Sequence, residues 1–254
     1  MPRADGERDT LPFLQLLPSI VTLVGLCASL TAIRFVFAER FELAALLIIF
    51  AALIDGVDGL LARRLDATSS FGAELDSLSD FVNFGVAPGL LVYQFALTDT
   101  RGFGWAFVLI YVICCCLRLA RFNVNRDVPP ADGRAHFTGV PAPAGAMLGL
   151  LPVFLSLAEV VEMRDLPALV AAWVGLVGIL MISRLRTFSP KSLRIPRDKA
   201  IWVLIGAVAI IGLMFTRFWL LMAVADAIYA AILAASVARL RRRRTKDKEW
   251  TSPQ

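Results

Sequence analysis

Residues 46–63 read Leu46-Leu47-Ile48-Ile49-Phe50-Ala51-Ala52-Leu53-Ile54-Asp55-Gly56-Val57-Asp58-Gly59-Leu60-Leu61-Ala62-Arg63. An unbroken apolar run takes in two aspartates without ceasing to be helical in pattern. With Asp55 as origin, Asp58, Gly59, Ala62 and Arg63 fall at +3, +4, +7 and +8, which is one stripe of an α-helix. The remaining surface is Leu, Ile, Val and Phe. A carboxylate at membrane depth is expensive and marks a working site, so the stretch predicts a membrane-spanning helix with a functional polar stripe. A second acidic segment follows a short turn around Asp66–Phe71. With Gly72 as origin, Asp76, Asp80 and Asn83 fall at +4, +8 and +11, again one stripe, while Leu75, Leu78, Phe81 and Val82 take the other side. The short turn makes the two helices antiparallel neighbours, so their acidic stripes are able to face each other.

The rest of the chain agrees with a membrane setting. Of 254 residues, 58% are hydrophobic, and the mean hydropathy is +0.70. Soluble domains run at about 45–50% apolar. Expected spans are Leu14–Ile33, Leu43–Ala62, Leu75–Leu97, Trp105–Leu119, Pro141–Ala158, Leu166–Ile182, Ala200–Phe215 and Trp219–Ala238. The fold class is therefore an all-α polytopic bundle of about eight transmembrane helices. With the N-terminus inside, 21 Lys and Arg fall on cytoplasmic segments and 5 on outer ones, which puts both termini in the cytoplasm. The expected organisation is a cytoplasmic segment 1–13, a catalytic core 14–183, a basic cytoplasmic loop 184–199, two further helices over 200–238 and a basic tail 239–254. The net charge of +5 serves topology and anionic lipid, and nothing in its pattern calls for nucleic acid. Cys27 and the run Cys114, Cys115, Cys116 read as small packing residues, because neighbours on a helix point in different directions. His136 reads as a solvent-facing loop residue.

Four carboxylates pointing into one cleft, Asp55, Asp58, Asp76 and Asp80, repel one another unless cations sit between them. Magnesium, manganese and calcium take oxygen ligands, and two such ions about 3.5–4 Å apart form a two-metal site. Gly59, Ala62 and Gly72 leave a notch beside the acids into which a base and a pyrophosphate fit. Arg63 lies two turns from Asp55, about 12 Å nearer the cytoplasm, and is placed to pair with a phosphate.

The pattern Asp55-x-x-Asp58-Gly59-x-x-Ala62-Arg63-x8-Gly72-x-x-x-Asp76-x-x-x-Asp80 resembles, at every fixed position, the signature of the CDP-alcohol phosphatidyltransferase family. The resemblance implies transfer of a phosphatidyl group from CDP-diacylglycerol to an alcohol with release of CMP. It implies divalent cations (Mg2+ or Mn2+, with Ca2+ also open) on the four aspartates, and Asp80 as the base. It also implies Thr22, Gly59, Ala62, Arg63 and Gly72 against CDP, a six-helix core to which the last two helices are added, and a homodimer. The expected location is a bacterial inner membrane with the site facing the cytoplasm. Residues 75–88, Arg118-Leu119-Ala120-Arg121-Phe122-Asn123 and Phe137-Thr138-Gly139-Val140-Pro141-Ala142-Pro143 are similar to the bacterial branch of the family that uses L-serine. One departure is Pro18-Ser19, where that branch has Pro-Asn.

L-serine carries a carboxylate that a guanidinium binds in a fork. Asn83, Arg118, Arg121 and Asn123 are therefore the expected acceptor-binding residues, while the two arginines also suit plain positive-inside anchoring. Two alternatives stay open. One is a sibling enzyme using glycerol 3-phosphate, inositol phosphate or choline. The other is a cation transporter built on intramembrane acids, although neither inverted repeats nor broken midplane helices are visible.

Overall fold

The structure, a computed structural model, describes residues 13–65, 70–126, 139–183 and 200–250. Among them are eight helices and no strand. We label them α1 (Phe13–Phe37), α2 (Phe41–Leu65), α3 (70–97), α4 (Phe103–Arg126), α5 (Ala142–Leu157), α6 (Pro167–Ile182), α7 (Ala200–Thr216) and α8 (Phe218–Trp250). Among the described residues, five segments are long and apolar enough to cross a membrane: Leu17–Phe37, Phe41–Leu60, Phe71–Leu97, Phe103–Val124 and Phe218–Ala238. α5 and α6 are shorter apolar helices. The exposed faces carry Leu53, Leu60, Leu78, Ile113, Ile179 and Phe215, an apolar exterior of the kind that hydrocarbon solvates.

With lipid tails as apolar as leucine, helices in a bilayer associate through close packing of small residues and through hydrogen bonds. Both occur here. α1 and α2 form an antiparallel pair across buried Ala28, Ala32, Ala44, Ala45 and Ala51. α4 and α6 approach so closely that a Cβ on Gly178 would stand 2.8 Å from the Cα of Tyr111. Trp173 on α6 donates its indole N–H to the Leu148 carbonyl of α5 at 2.7 Å. The centre of the bundle is filled by Ile48, Phe84, Leu91, Tyr111 and Phe154, all fully buried. At the end far from the acids, the Arg164 guanidinium lies over the rings of Phe95 (4.4 Å) and Phe41 (5.3 Å). α8 docks along α5, burying Ala223, Asp226 and Leu233 and stacking Trp219 on Phe154 at 5.9 Å.

α3 is not a regular helix. It is α-helical over Ser70–Asp80, π-helical over Phe81–Val86, α-helical over Ala87–Val92 and π-helical over Tyr93–Leu97. The first π segment has a local cause in Pro88. A proline ring collides with the carbonyl four residues earlier and supplies no N–H to it. Widening the turn relieves that collision, and the Ala87 N–H accordingly bonds to Val82 O, five residues back. The widening begins at the residue after Asp80.

Candidate active site

Three of the four aspartates converge. One carboxylate oxygen each from Asp55 of α2 and Asp76 and Asp80 of α3 lie within 4.8 Å of one another, and Asp55 and Asp80 are close enough for a side-chain hydrogen bond. Two carboxylates in such contact need a proton or a cation between them. Asp80 Oδ1 is buried and has no hydrogen-bond partner. A buried oxygen left this way in a cluster of hard anionic donors is the donor chemistry that Mg2+, Mn2+ and Ca2+ select. The residues present therefore fit a divalent cation.

Asp58 stands beside the trio and within its electrostatic field. It is 5% exposed, and its Oδ2 lies 2.9 Å from the Thr22 hydroxyl of α1. That hydroxyl is also 3.1 Å from the Pro18 carbonyl, so its single proton is shared between the two oxygens. Thr22, expected against CDP, thus touches Asp58 directly and ties α1 to the acidic stripe.

A Cβ built on Gly59, or on Gly56 beside it, meets nothing within 4 Å. Gly72 is half-buried at the start of α3. The side chains of Ala62 and Arg63, on the last turns of α2, fall outside the described residues, as do the loop 184–199 and residues 127–138.

The four expected acceptor residues are divided among different tasks. Arg118 is half-buried, donates its Nε–H to the Val140 carbonyl at 2.5 Å, and lies within electrostatic reach of Asp80. Arg121 is exposed and donates Nη1–H to the Ile182 carbonyl at 2.9 Å, one of the carbonyls left over at the end of α6. Asn123 accepts from the Ser77 hydroxyl at 2.9 Å, which fastens the end of α4 to α3 one residue from Asp76. Asn83 is 3% exposed and turns toward α1. Its Nδ2 would lie 3.6 Å from a Cβ on Gly25, and its Oδ1 has no partner. Regular α spacing puts Asn83 on the stripe of Asp76 and Asp80. The π winding begins between them, and about 4.4 residues per turn instead of 3.6 rotates Asn83 toward α1.

The spacing of the acids did not point to Ser77 or Tyr111. Tyr111 is 1% exposed, and its hydroxyl donates to the Phe84 carbonyl at 2.6 Å. The signal for such a partner is Pro88, because a proline four residues after Phe84 leaves that carbonyl without its α-helical N–H.

A helical bundle that gathers three carboxylates among apolar helices suits an enzyme or an ion-handling protein. Comparison with known proteins narrows the choice. The family described as CDP-alcohol phosphatidyltransferase matches residues 15–182, and the chain belongs to that family. A Mycobacterium tuberculosis (strain H37Rv) protein called CDP-diacylglycerol--serine O-phosphatidyltransferase is 48% identical over 150 residues, 58% of this chain and 52% of the relative. A Mycobacterium leprae protein of the same name is 44% identical over 176 residues, 68% of this chain and 58% of the relative. A Helicobacter pylori (strain 26695) protein, again of that name, is 33% identical over 173 residues, 68% of this chain and 72% of the relative. The chain spans about half the length of the M. tuberculosis relative it matches. The three converging aspartates and Asp58 all lie inside the family-matched region.

Proposed function

We propose that this chain transfers the phosphatidyl group of CDP-diacylglycerol to the hydroxyl of L-serine, giving phosphatidylserine and CMP. The observation that carries the reading is the meeting of Asp55, Asp76 and Asp80 in a member of this family. The names of the relatives support serine as the acceptor.

In the reaction the serine Oγ forms a bond to the diacylglycerol-bearing phosphorus, the bond from that phosphorus to the pyrophosphate bridge breaks, and CMP leaves with the bridging oxygen. Asp55, Asp76 and Asp80, with Asp58 as a fourth donor, would hold the divalent cations. Cations held there would supply positive charge against the pyrophosphate and against the charge that develops as phosphorus is attacked. Asp80 presents a buried free oxygen and takes the serine proton. Transfer is concerted with attack, because the hydroxyl becomes far more acidic as the new bond forms. Thr22 keeps Asp58 turned inward. Arg118, anchored through Nε, keeps its terminal nitrogens for the serine carboxylate. Gly59 and Gly72 leave room for the nucleotide, and Arg63 pairs with its phosphate.

The same reading includes eight spans, both termini and the active site on the cytoplasmic side of a bacterial inner membrane, and a homodimer. The distribution of Lys and Arg supports the orientation. Purified protein incubated with CDP-diacylglycerol, Mg2+ or Mn2+ and each candidate alcohol tests the acceptor. CMP release with serine alone is the expected result. Release with glycerol 3-phosphate, inositol phosphate or choline in its place would move the chain to a sibling activity. No release under any condition would end the proposal.

A further inference from the structure

Phe84, four residues past Asp80, has a carbonyl that a regular helix would pair with the N–H of residue 88. That residue is Pro88 and has no N–H. The Tyr111 hydroxyl, reaching across from α4, donates to this carbonyl at 2.6 Å. An aromatic alcohol on one helix therefore stands in for an amide missing from another.

The surroundings of Tyr111 are arranged for this contact. Tyr111 lies against three glycines from three helices, two at its ring and one at its backbone. A Cβ on Gly149 of α5 would sit 3.5 Å from the phenolic oxygen, and one on Gly89 of α3 would sit 3.6 Å from Cδ1. A Cβ on Gly178 of α6 would meet the Tyr111 backbone itself. The π segment that receives the bond, Phe81–Val86, starts where Asp80 ends and contains buried Asn83 with its unpartnered Oδ1. Cys115, one turn beyond Tyr111, packs against Gly85 in the same segment, at 3.4 Å from a Cβ built there. α4 thus braces the π turn at two successive points.

We propose that Tyr111 is a positioning residue of the active site. By satisfying the Phe84 carbonyl it holds the π turn, and the π turn fixes the direction in which Asp80 and Asn83 face. Tyr111 touches neither substrate nor metal in this role. The inference rests on the functional reading above for what Asp80 does, and its test does not depend on which alcohol is used.

Tyr111→Phe keeps the ring in its glycine socket and removes only the hydroxyl. Mn2+ titration of the detergent-solubilised variant without substrates, read by electron paramagnetic resonance, is expected to show affinity weakened by about tenfold, as for loss of a group that orients a ligand. Under phosphatidyl transfer, kcat is expected to fall by about tenfold or more while KM for CDP-diacylglycerol stays within about twofold. Adding Pro88→Ala to Tyr111→Phe returns the N–H that a regular α-helix would direct at the Phe84 carbonyl. It should recover the melting temperature but leave Mn2+ affinity and kcat low, because it permits α winding in place of the π turn. Unchanged Mn2+ affinity and kcat in Tyr111→Phe would overturn the proposal. So would full recovery of both in the double variant, since Tyr111 would then serve stability alone. If the wild-type protein binds Mn2+ but releases no CMP with any alcohol, the functional reading fails, and the Mn2+ titration still decides the role of Tyr111.

Discussion

Gly56 and Gly59 on α2 and Gly175 and Gly178 on α6 are the same residue type in two helices of the bundle, and their surroundings are opposite. A Cβ on either glycine of α2 meets nothing within 4 Å. On Gly175 it would come 2.5 Å from Cδ1 of Phe107, and on Gly178 2.8 Å from the Cα of Tyr111. Next to the α2 glycines the space is open, and Gly59 shares the stripe of Asp55 and Asp58. The α6 glycines withhold side chains so that two helices close on each other. The site and the scaffold are thus built from the same small residues, and only the neighbours distinguish them. It follows that substitutions in one region should move activity and leave stability, and substitutions in the other should move stability first.

Asp80→Asn sharpens that contrast most. It keeps the shape of the side chain, removes its charge and its ability to take a proton, and should lower CMP release by about 10³-fold or more. Its melting temperature in the absence of metal should equal or exceed that of the wild type, because one of three crowded carboxylates is gone. A clear loss of stability in the metal-free protein would contradict the assignment of Asp80 to the site.

Gly178→Ala tests the other side. The added methyl runs into backbone, which cannot swing away as a side-chain end does. Overpacking of this kind costs about 1–3 kcal/mol, read as a lower melting temperature in detergent. Activity per folded molecule should fall only as far as Tyr111 is displaced. A variant that melts like the wild type would show that α4 and α6 are not held at this distance.

Arg118 lies on the seam between the two regions. Its Nε is bonded to the carbonyl at the entry to α5, and its charge reaches Asp80. Arg118→Ala should raise the serine KM by about tenfold or more, since it removes a charged partner from a desolvated carboxylate. KM for CDP-diacylglycerol should change little. Arg121, exposed and bonded to the last turn of α6, should show the smaller effect in the same assay. The reverse ranking would move the acceptor pocket toward the end of α4.

The parts of the site that could be read from sequence are those set by one helix at a time. Asp55, Asp76 and Asp80 stand out because carboxylates are rare in apolar helices, and the short connection after α2 brings them together without further information. Eight apolar spans were expected from hydropathy, and among the described residues five segments are long and apolar enough to cross a membrane, while α5 and α6 are shorter. What could not be read depends on partners far away in the chain. Thr22 meets Asp58 across 36 residues and Ser77 meets Asn123 across 46, and neither pairing has a local signature. Periodicity places Asn83 with the acids, but the π turn carries it to Gly25 of α1. Pro88 was in view throughout, yet the consequence of its missing N–H depended on Tyr111 being there to accept the exchange. Helix ends were similarly hidden. α4 runs on to Arg126, past the expected end of its span at Leu119, and Arg118, Arg121 and Asn123 in its last turns find polar partners on other segments.

Gly59→Ala is the smallest change and the one most able to break the contrast between the two regions. In a helix interior alanine is favoured over glycine by about 0.8–1 kcal/mol, and here the methyl has open space to enter. The variant should therefore melt at the wild-type temperature or slightly above it. If the space is where the nucleotide lies, the same methyl should obstruct it, and KM for CDP-diacylglycerol should rise by about tenfold, a penalty of about 1.4 kcal/mol. Serine KM should be unaffected, because Gly59 is on α2 and Arg118 on α4. Higher stability joined to poorer CDP-diacylglycerol binding is a combination that a packing glycine cannot give. Unchanged kinetics would mean that the gap beside Asp55 and Asp58 faces lipid, and the nucleotide would then have to enter from the Gly72 side of the acids.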